Sequence, residues 1–187
     1  KSGYRDLIGL IEFGDESYII SPFSTDYENV LTSIRLLSDP EEYARFDNSG
    51  TKIAQAINQG VNLFKMFFFL KSAGNIMVLF SDGEDSQVEH EGRSLDDILA
   101  ESSRHRIPIF FIRVASNKPF GHRSTNDALW SAAVEKTGGK LYAGANADVI
   151  VQACDEINKM AARRIQYTRY SARTARSPSP NTSIQPC

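Results

Sequence analysis

Ile76-Met77-Val78-Leu79-Phe80 runs without a break into Ser81-Asp82-Gly83-Glu84-Asp85. Five consecutive apolar residues predict a strand buried on both faces, as in a parallel sheet flanked by helices. An aspartate at the carboxyl end of such a strand sits where open α/β sheets bind ligands. Upstream, Ser49-Gly50-Thr51 opens an apolar-periodic helix and offers a hydroxyl at the same rim. A hydroxyl beside a carboxylate is donor chemistry for a hard divalent cation such as Mg²⁺.

Outward from that stretch, the chain reads as one α/β unit. Leu7 to Phe13 and Ser17 to Ser21 form a hairpin around Gly14-Asp15-Glu16. Thr25-x-x-Glu28 predicts a capping box, and the helix after it carries Val30, Leu31, Ile34 and Leu37 on one face. Ile53, Ile57, Val61 and Phe64 form the stripe of the next helix. The dense run Phe64 to Leu70 could form an exposed contact patch, but packing into the core between helix and strand is favoured. Ser94-x-x-Asp97 caps a helix ending near His105, and Ile107 to Val114 is a second apolar strand. A helix over Asp127 to Lys136 stops at Thr137-Gly138-Gly139. Lys140 to Ala143 is a short strand, and the last helix turns Val149, Ala153, Ile157 and Met160 inward. The pattern predicts a doubly wound, mostly parallel sheet with the hairpin as its antiparallel edge.

The 187 residues, 41% hydrophobic and 24% charged, suit one soluble domain with a proper core. A net charge of -2 favours neither nucleic acid nor a membrane surface as partner, and no apolar run is long enough to span a bilayer. The balance hides an asymmetry. From Ala161 onward there are five of the 21 basic residues (Arg163, Arg164, Arg169, Arg173, Arg176) and no acid, leaving 16 against all 23 acids, or -7, before that point. The chain therefore divides into a domain over 1–165 and a basic Ser/Pro-rich tail over 166–187, disordered from Ser171 onward. Cys154 and Cys187 form no Cys-x-x-Cys pair, and Cys154 is expected as a buried thiol on the last helix.

The other motifs are weaker. Read as a calcium loop, Asp82 to Arg93 has Gln87 where glycine is needed and Arg93 where a bidentate glutamate is needed. Gly138-Gly139-Lys140 lacks P-loop spacing. His90, His105 and His122 fit no His-Glu-x-x-His or serine-elbow pattern.

The order hairpin, Ser49-Gly50-Thr51 helix, buried strand, Ser81-Asp82-Gly83-Glu84 resembles the von Willebrand factor A domain. The resemblance covers roughly Lys1 to Met160 and extends to Leu7-Ile8-Gly9-Leu10-Ile11-Glu12-Phe13 and Thr137-Gly138-Gly139-Lys140-Leu141-Tyr142. Tyr167-Thr168-Arg169-Tyr170 is similar to bacterial, membrane-anchored members of the BatA type, which implies a parent anchored in an inner membrane. In this family a metal-ion-dependent adhesion site draws on three loops. Carried over, Thr51 is the second-loop ligand and Asp82 the third-loop ligand, with Asp47, Gly50, Gly83, Glu84 and Asp85 on the rim around them. The first-loop Asp-x-Ser-x-Ser has no match, so the resemblance implies a chain lacking the family's first strand and helix. Two unpaired strand edges and marginal stability are expected to follow. Mg²⁺ or Mn²⁺ binding would then be weak or absent.

What the resemblance implies is a non-enzymatic domain that binds a partner protein's Asp or Glu side chain through the metal, without nucleic acid. Two alternatives stand beside it: a scaffold whose metal site is lost, and a metal-dependent hydrolase or phosphotransferase using Asp82. Phe80 and Glu84 occupy the positions where the latter would want a second aspartate.

Overall fold

The computed structural model describes residues 6–37, 51–70, 74–82, 89–114, 125–143 and 147–174, the side chains of 69, 89, 125, 126, 147 and 162–174 excepted. Strands β1 (Ile8–Phe13) and β2 (Ser17–Ser24) form an antiparallel hairpin, closed where the Gly14 amide donates to the Glu16 carbonyl at 2.8 Å. Helix α1 (Tyr27–Leu37) follows, then α2 (Ile53–Met66), with a 3₁₀ turn at Phe68–Leu70. Strand β3 (Met77–Ser81) leads to a two-residue ribbon, β4 (Glu89–His90) and β5 (Arg93–Ser94). Glu91 (φ 51°) and Gly92 (φ 72°) close that ribbon, both left-handed as a primed hairpin turn requires. The chain then alternates: α3 (Leu95–Arg104), β6 (Ile109–Arg113), α4 (Thr125–Glu135), β7 (Lys140–Ala143) and α5 (Ala147–Thr174).

The α/β class is as expected, but the sheet is divided. Strands β3, β6 and β7 form a parallel sheet in that order, with Met77 opposite Ile109 and Phe110 opposite Lys140. The β1–β2 hairpin is a separate two-stranded sheet instead of an edge of the parallel one. β1 and β3 each keep one edge unpaired among the described residues, and no strand lies between them to join the layers.

Helix α2 holds the two sheets together. Its buried Ile53, Ala54, Ile57 and Val61 join Leu79 of β3, Phe111 of β6, Ile98 and Leu99 of α3, and Trp130 and Val134 of α4 in the main core. Gly60 is the contact point: a Cβ there would fall 2.6 Å from Met77 Cε and 3.7 Å from Ile11 Cδ1, one residue on each sheet. On the other face of the parallel sheet, Phe110, Ile112 and Tyr142 pack against Ala153 and Ile157 of α5. Strand β6 is therefore covered on both sides and reads as an unbroken apolar run. The burial on both faces expected of the run at Ile76–Phe80 is not met: Leu79 and Ser81 are buried on the α2 side, while Val78 and Phe80 are 40% and 47% exposed.

Several local expectations hold. Ser94 and Asp97 form a reciprocal capping box, the Asp97 amide donating to Ser94 Oγ at 3.2 Å and the Ser94 amide to Asp97 Oδ2 at 3.3 Å. Others are corrected. Asp26, not Thr25, caps α1, accepting the Asn29 amide on Oδ1 at 3.1 Å, while Ser24 Oγ accepts the Asp26 amide. Of the stripe expected on α1 only Val30 is buried, with Leu31 and Ile34 exposed; among the described residues this helix packs chiefly on the small hairpin sheet. Cys154 is exposed, since the inner line of α5 runs through Ile150, Ala153, Ile157 and Met160 and leaves residue 154 on its flank. The backbone of α5 stays helical to Thr174, so the first nine residues of the expected tail continue the helix, before Ser177-Pro178.

A buried threonine locks β6 to the end of α4. Thr137 Oγ1 donates to the Val134 carbonyl at 2.7 Å and accepts the Ile109 amide at 2.9 Å. Two glycines follow for different reasons. Gly138 adopts φ 80°, and Gly139 lies so close that a Cβ would come within 1.7 Å of the Ile109 carbonyl oxygen. Across α2 and α3, Glu101 takes Lys65 Nζ on Oε1 at 2.6 Å and the Arg93 guanidinium on Oε2, while Arg93 also donates to the buried Asn58 at 2.7 Å. The Lys65 hydrogen bond is the main reason the Glu101 carboxyl is held down to about 2.

Two stability predictions arise. Thr137→Val should cost about 1–3 kcal/mol in urea unfolding, because it strands the buried Ile109 amide; a loss below the precision of that measurement would show the hydroxyl bridge to be idle. Glu101 has its folded pKa depressed, so its contribution is complete at neutral pH and fades as pH falls below the ordinary glutamate value towards 2. Glu101→Gln should therefore flatten the acid limb of the stability profile, and an unchanged limb would contradict the assignment.

Candidate functional site

The rim at the carboxyl ends of the strands is defined by how α2 lies on them. At one end of α2, the Lys52 amide donates to the Gly14 carbonyl, just past β1, at 2.9 Å. Glu16 of the same turn accepts from Gln55 Nε2 at 3.0 Å and pairs with Lys52 Nζ at 3.4 Å. The Gln55 hydrogen bond, with Lys52 behind it, keeps the Glu16 carboxyl below its usual range. At the other end, Leu63 lies against Gly9 near the start of β1, and Gly60 against Met77 at the start of β3. The helix thus runs antiparallel to the strands, as a helix leading into the strand it covers must.

That orientation puts the approach to α2 and the residue after β3 at one end of the layer. There lie Thr51, two residues before the helix, and Asp82, both half-buried. The N-cap position of α2 is Lys52, one residue beyond Thr51. Asp47, Gly50, Gly83, Glu84 and Asp85, expected on the rim, lie outside the described residues.

One rim feature was not anticipated from the sequence. Arg113 ends β6 directly opposite Ser81 in the register, and its Nε lies 3.0 Å from Asp127 Oδ1 of α4. The side chains are 27% and 15% exposed, and Arg113 Nε is buried without a well-angled hydrogen bond. A cation thus stands one strand over from Asp82, partly neutralised by its own carboxylate. The abrupt arginine closing the apolar run Ile109–Ile112 was the available signal; its partner, fourteen residues on, was not.

Thr51 and Asp82 fit a hard divalent ion in kind, as one neutral and one anionic oxygen donor, leaving the other positions to water. In number they fall short of a closed cage. Among the described residues no three His, Cys, Asp or Glu side chains gather as a metal-binding group. The buried carboxylate oxygen of Glu12, without a hydrogen bond and with its pKa raised by burial, is on β1, whose Gly9, Ile11 and Phe13 take the α2 side.

In fold, the chain is similar to BatB, a conserved hypothetical protein of Bacteroides thetaiotaomicron: 17% identical, with a TM-score of 0.65 over 86% of this chain and 81% of that one. An uncharacterized membrane-spanning protein of Vibrio fischeri, 18% identical, superposes more loosely, with a TM-score of 0.38 over 83% and 76%. No protein-family model matches the sequence, and no curated protein does. At such identities the likeness to BatB speaks to the shared α/β fold. Among the described residues no helix is long and apolar enough to cross a membrane.

Proposed function

We propose that this chain is a protein-binding domain of the von Willebrand A type, with its docking end at the rim that carries Thr51 and Asp82. The observation that carries this reading is the antiparallel lie of α2 on β1 and β3, which gives a hydroxyl and a carboxylate one common end. Ligand sites of open α/β sheets form at this end of the strands. Thr51 and Asp82 would hold Mg²⁺ or Mn²⁺ between them, and the ion would supply a Lewis-acid position that a partner's Asp or Glu side chain can enter. The chain's own part is to fix the two oxygens on rigid elements. Arg113, steadied by Asp127, adds a positive edge beside Asp82 that favours an acidic side chain over a basic one.

A second reading keeps the same rim without the ion. It draws on the lack of a three-acid group among the described residues, and makes the domain a scaffold that binds through apolar surface.

Thermal unfolding in rising Mg²⁺ or Mn²⁺ separates the two. The metal-bridged reading predicts a concentration-dependent rise in Tm that Asp82→Ala abolishes and EDTA reverses; stabilisation of about 2.7 kcal/mol corresponds to an ion at a hundred times its Kd. An equal rise in both proteins takes Asp82 out of the site, and no rise in either favours the scaffold. Phosphatase turnover that vanishes with Asp82→Ala would instead make the domain an enzyme.

A further inference from the structure

The end of the molecule opposite Asp82 has a different chemistry. The run Phe64 to Leu70, expected in the core, is only half there. Phe64 and Phe67 pack on Phe23 at 4.8 and 5.3 Å between ring centroids, but Met66, Phe68 and Leu70 point outward, 69%, 70% and 46% exposed. These residues lie at the end of α2 and in the 3₁₀ turn at Phe68–Leu70 that follows it. The Phe68 ring stands edge-on to His105 at 6.3 Å, which ties this turn to the end of α3.

Two arginines flank that histidine. Arg104 closes α3, and Arg106 is held in the left-handed region, φ 57°, by its amide donating to the Ser103 carbonyl at 2.9 Å. Both are exposed, and neither is in an ion pair among the described residues. Glu101, one turn back, is already taken up by Lys65 and Arg93. The result is a protruding apolar tip with uncompensated positive charge beside it.

We propose that this tip docks on an anionic lipid bilayer surface, with Phe68, Met66 and Leu70 at the acyl boundary and Arg104 and Arg106 among the phosphates. The charge selects an anionic surface, and the shape selects a lipid one. Side chains this exposed form a convexity. A fluid interface closes around such a projection, whereas a protein partner would need a matching cavity. The placement leaves the Thr51 and Asp82 end facing away from the membrane. The proposal is independent of whether that rim holds a metal.

Flotation of the full 187-residue chain with phosphatidylcholine vesicles, with and without phosphatidylglycerol, tests this and separates bound protein from aggregate. The expected result is flotation only with phosphatidylglycerol, weakened by salt. Arg104→Gln and Arg106→Gln should each reduce partitioning about five-fold. Phe68→Ser should reduce it with an unchanged circular dichroism spectrum, since that ring supports little of the core. Failure to float, or flotation indifferent to all three substitutions, overturns the proposal. So does flotation that disappears when Arg163, Arg164, Arg169, Arg173 and Arg176 are replaced and the tip is left intact.

Discussion

Helix α2 is the constraint from which the rest of the molecule takes its form. It is the element common to two sheets that share no hydrogen-bonded strand pair, and it packs on both through one glycine-lined contact at Gly60. A Cβ at that position would meet the end of the Met77 side chain at 2.6 Å and force it to shift, while only touching Ile11 at 3.7 Å. Because α2 is strapped at Lys52 to the hairpin turn and at Leu63 to the hairpin's start, its direction is fixed. The rim and the opposite tip are the two ends of this one helix.

Those ends differ in chemistry for a physical reason. At the carboxyl ends of parallel strands the chain emerges into turns that lead on to helices, and polar donors such as Asp82 and Thr51 are set there by the elements on either side. At the other end, Met66, Phe68 and Leu70 stay exposed. Val78 and Phe80 of β3 add further exposed apolar surface. Burial in this molecule is concentrated around β6, where both faces are covered.

Much of this was readable from sequence where the signal is local. The apolar runs at Ile76 and Ile109, the Ser94 capping box, the Thr137-Gly138-Gly139 stop and the inner line of α5 each depend on residues within a turn or two. The failures are all tertiary. Whether Phe68 is core or surface depends on how far the sheet extends beneath α2, and periodicity says nothing of that. Leu31 and Ile34 carry a helical stripe, yet both stay exposed. Thr25 and Asp26 are equally good caps on paper, and the entry angle after β2 selects the second. For the candidate site, the two positions at the rim were legible because strand-then-aspartate and hydroxyl-then-helix are positional signals. The Arg113–Asp127 pair was not, since it joins elements whose relation exists only in the folded sheet.

The account rests on α2 lying antiparallel to β3, so that residues 51 and 82 share an end. Spin labels on Thr51→Cys and Asp82→Cys, in a chain with Cys154→Ser and Cys187→Ser, measure this by dipolar spectroscopy. The prediction is a single short interspin distance, well inside the length of α2. A separation of about 20 Å or more, the span of a fourteen-residue helix, would place the two residues at opposite ends and contradict it.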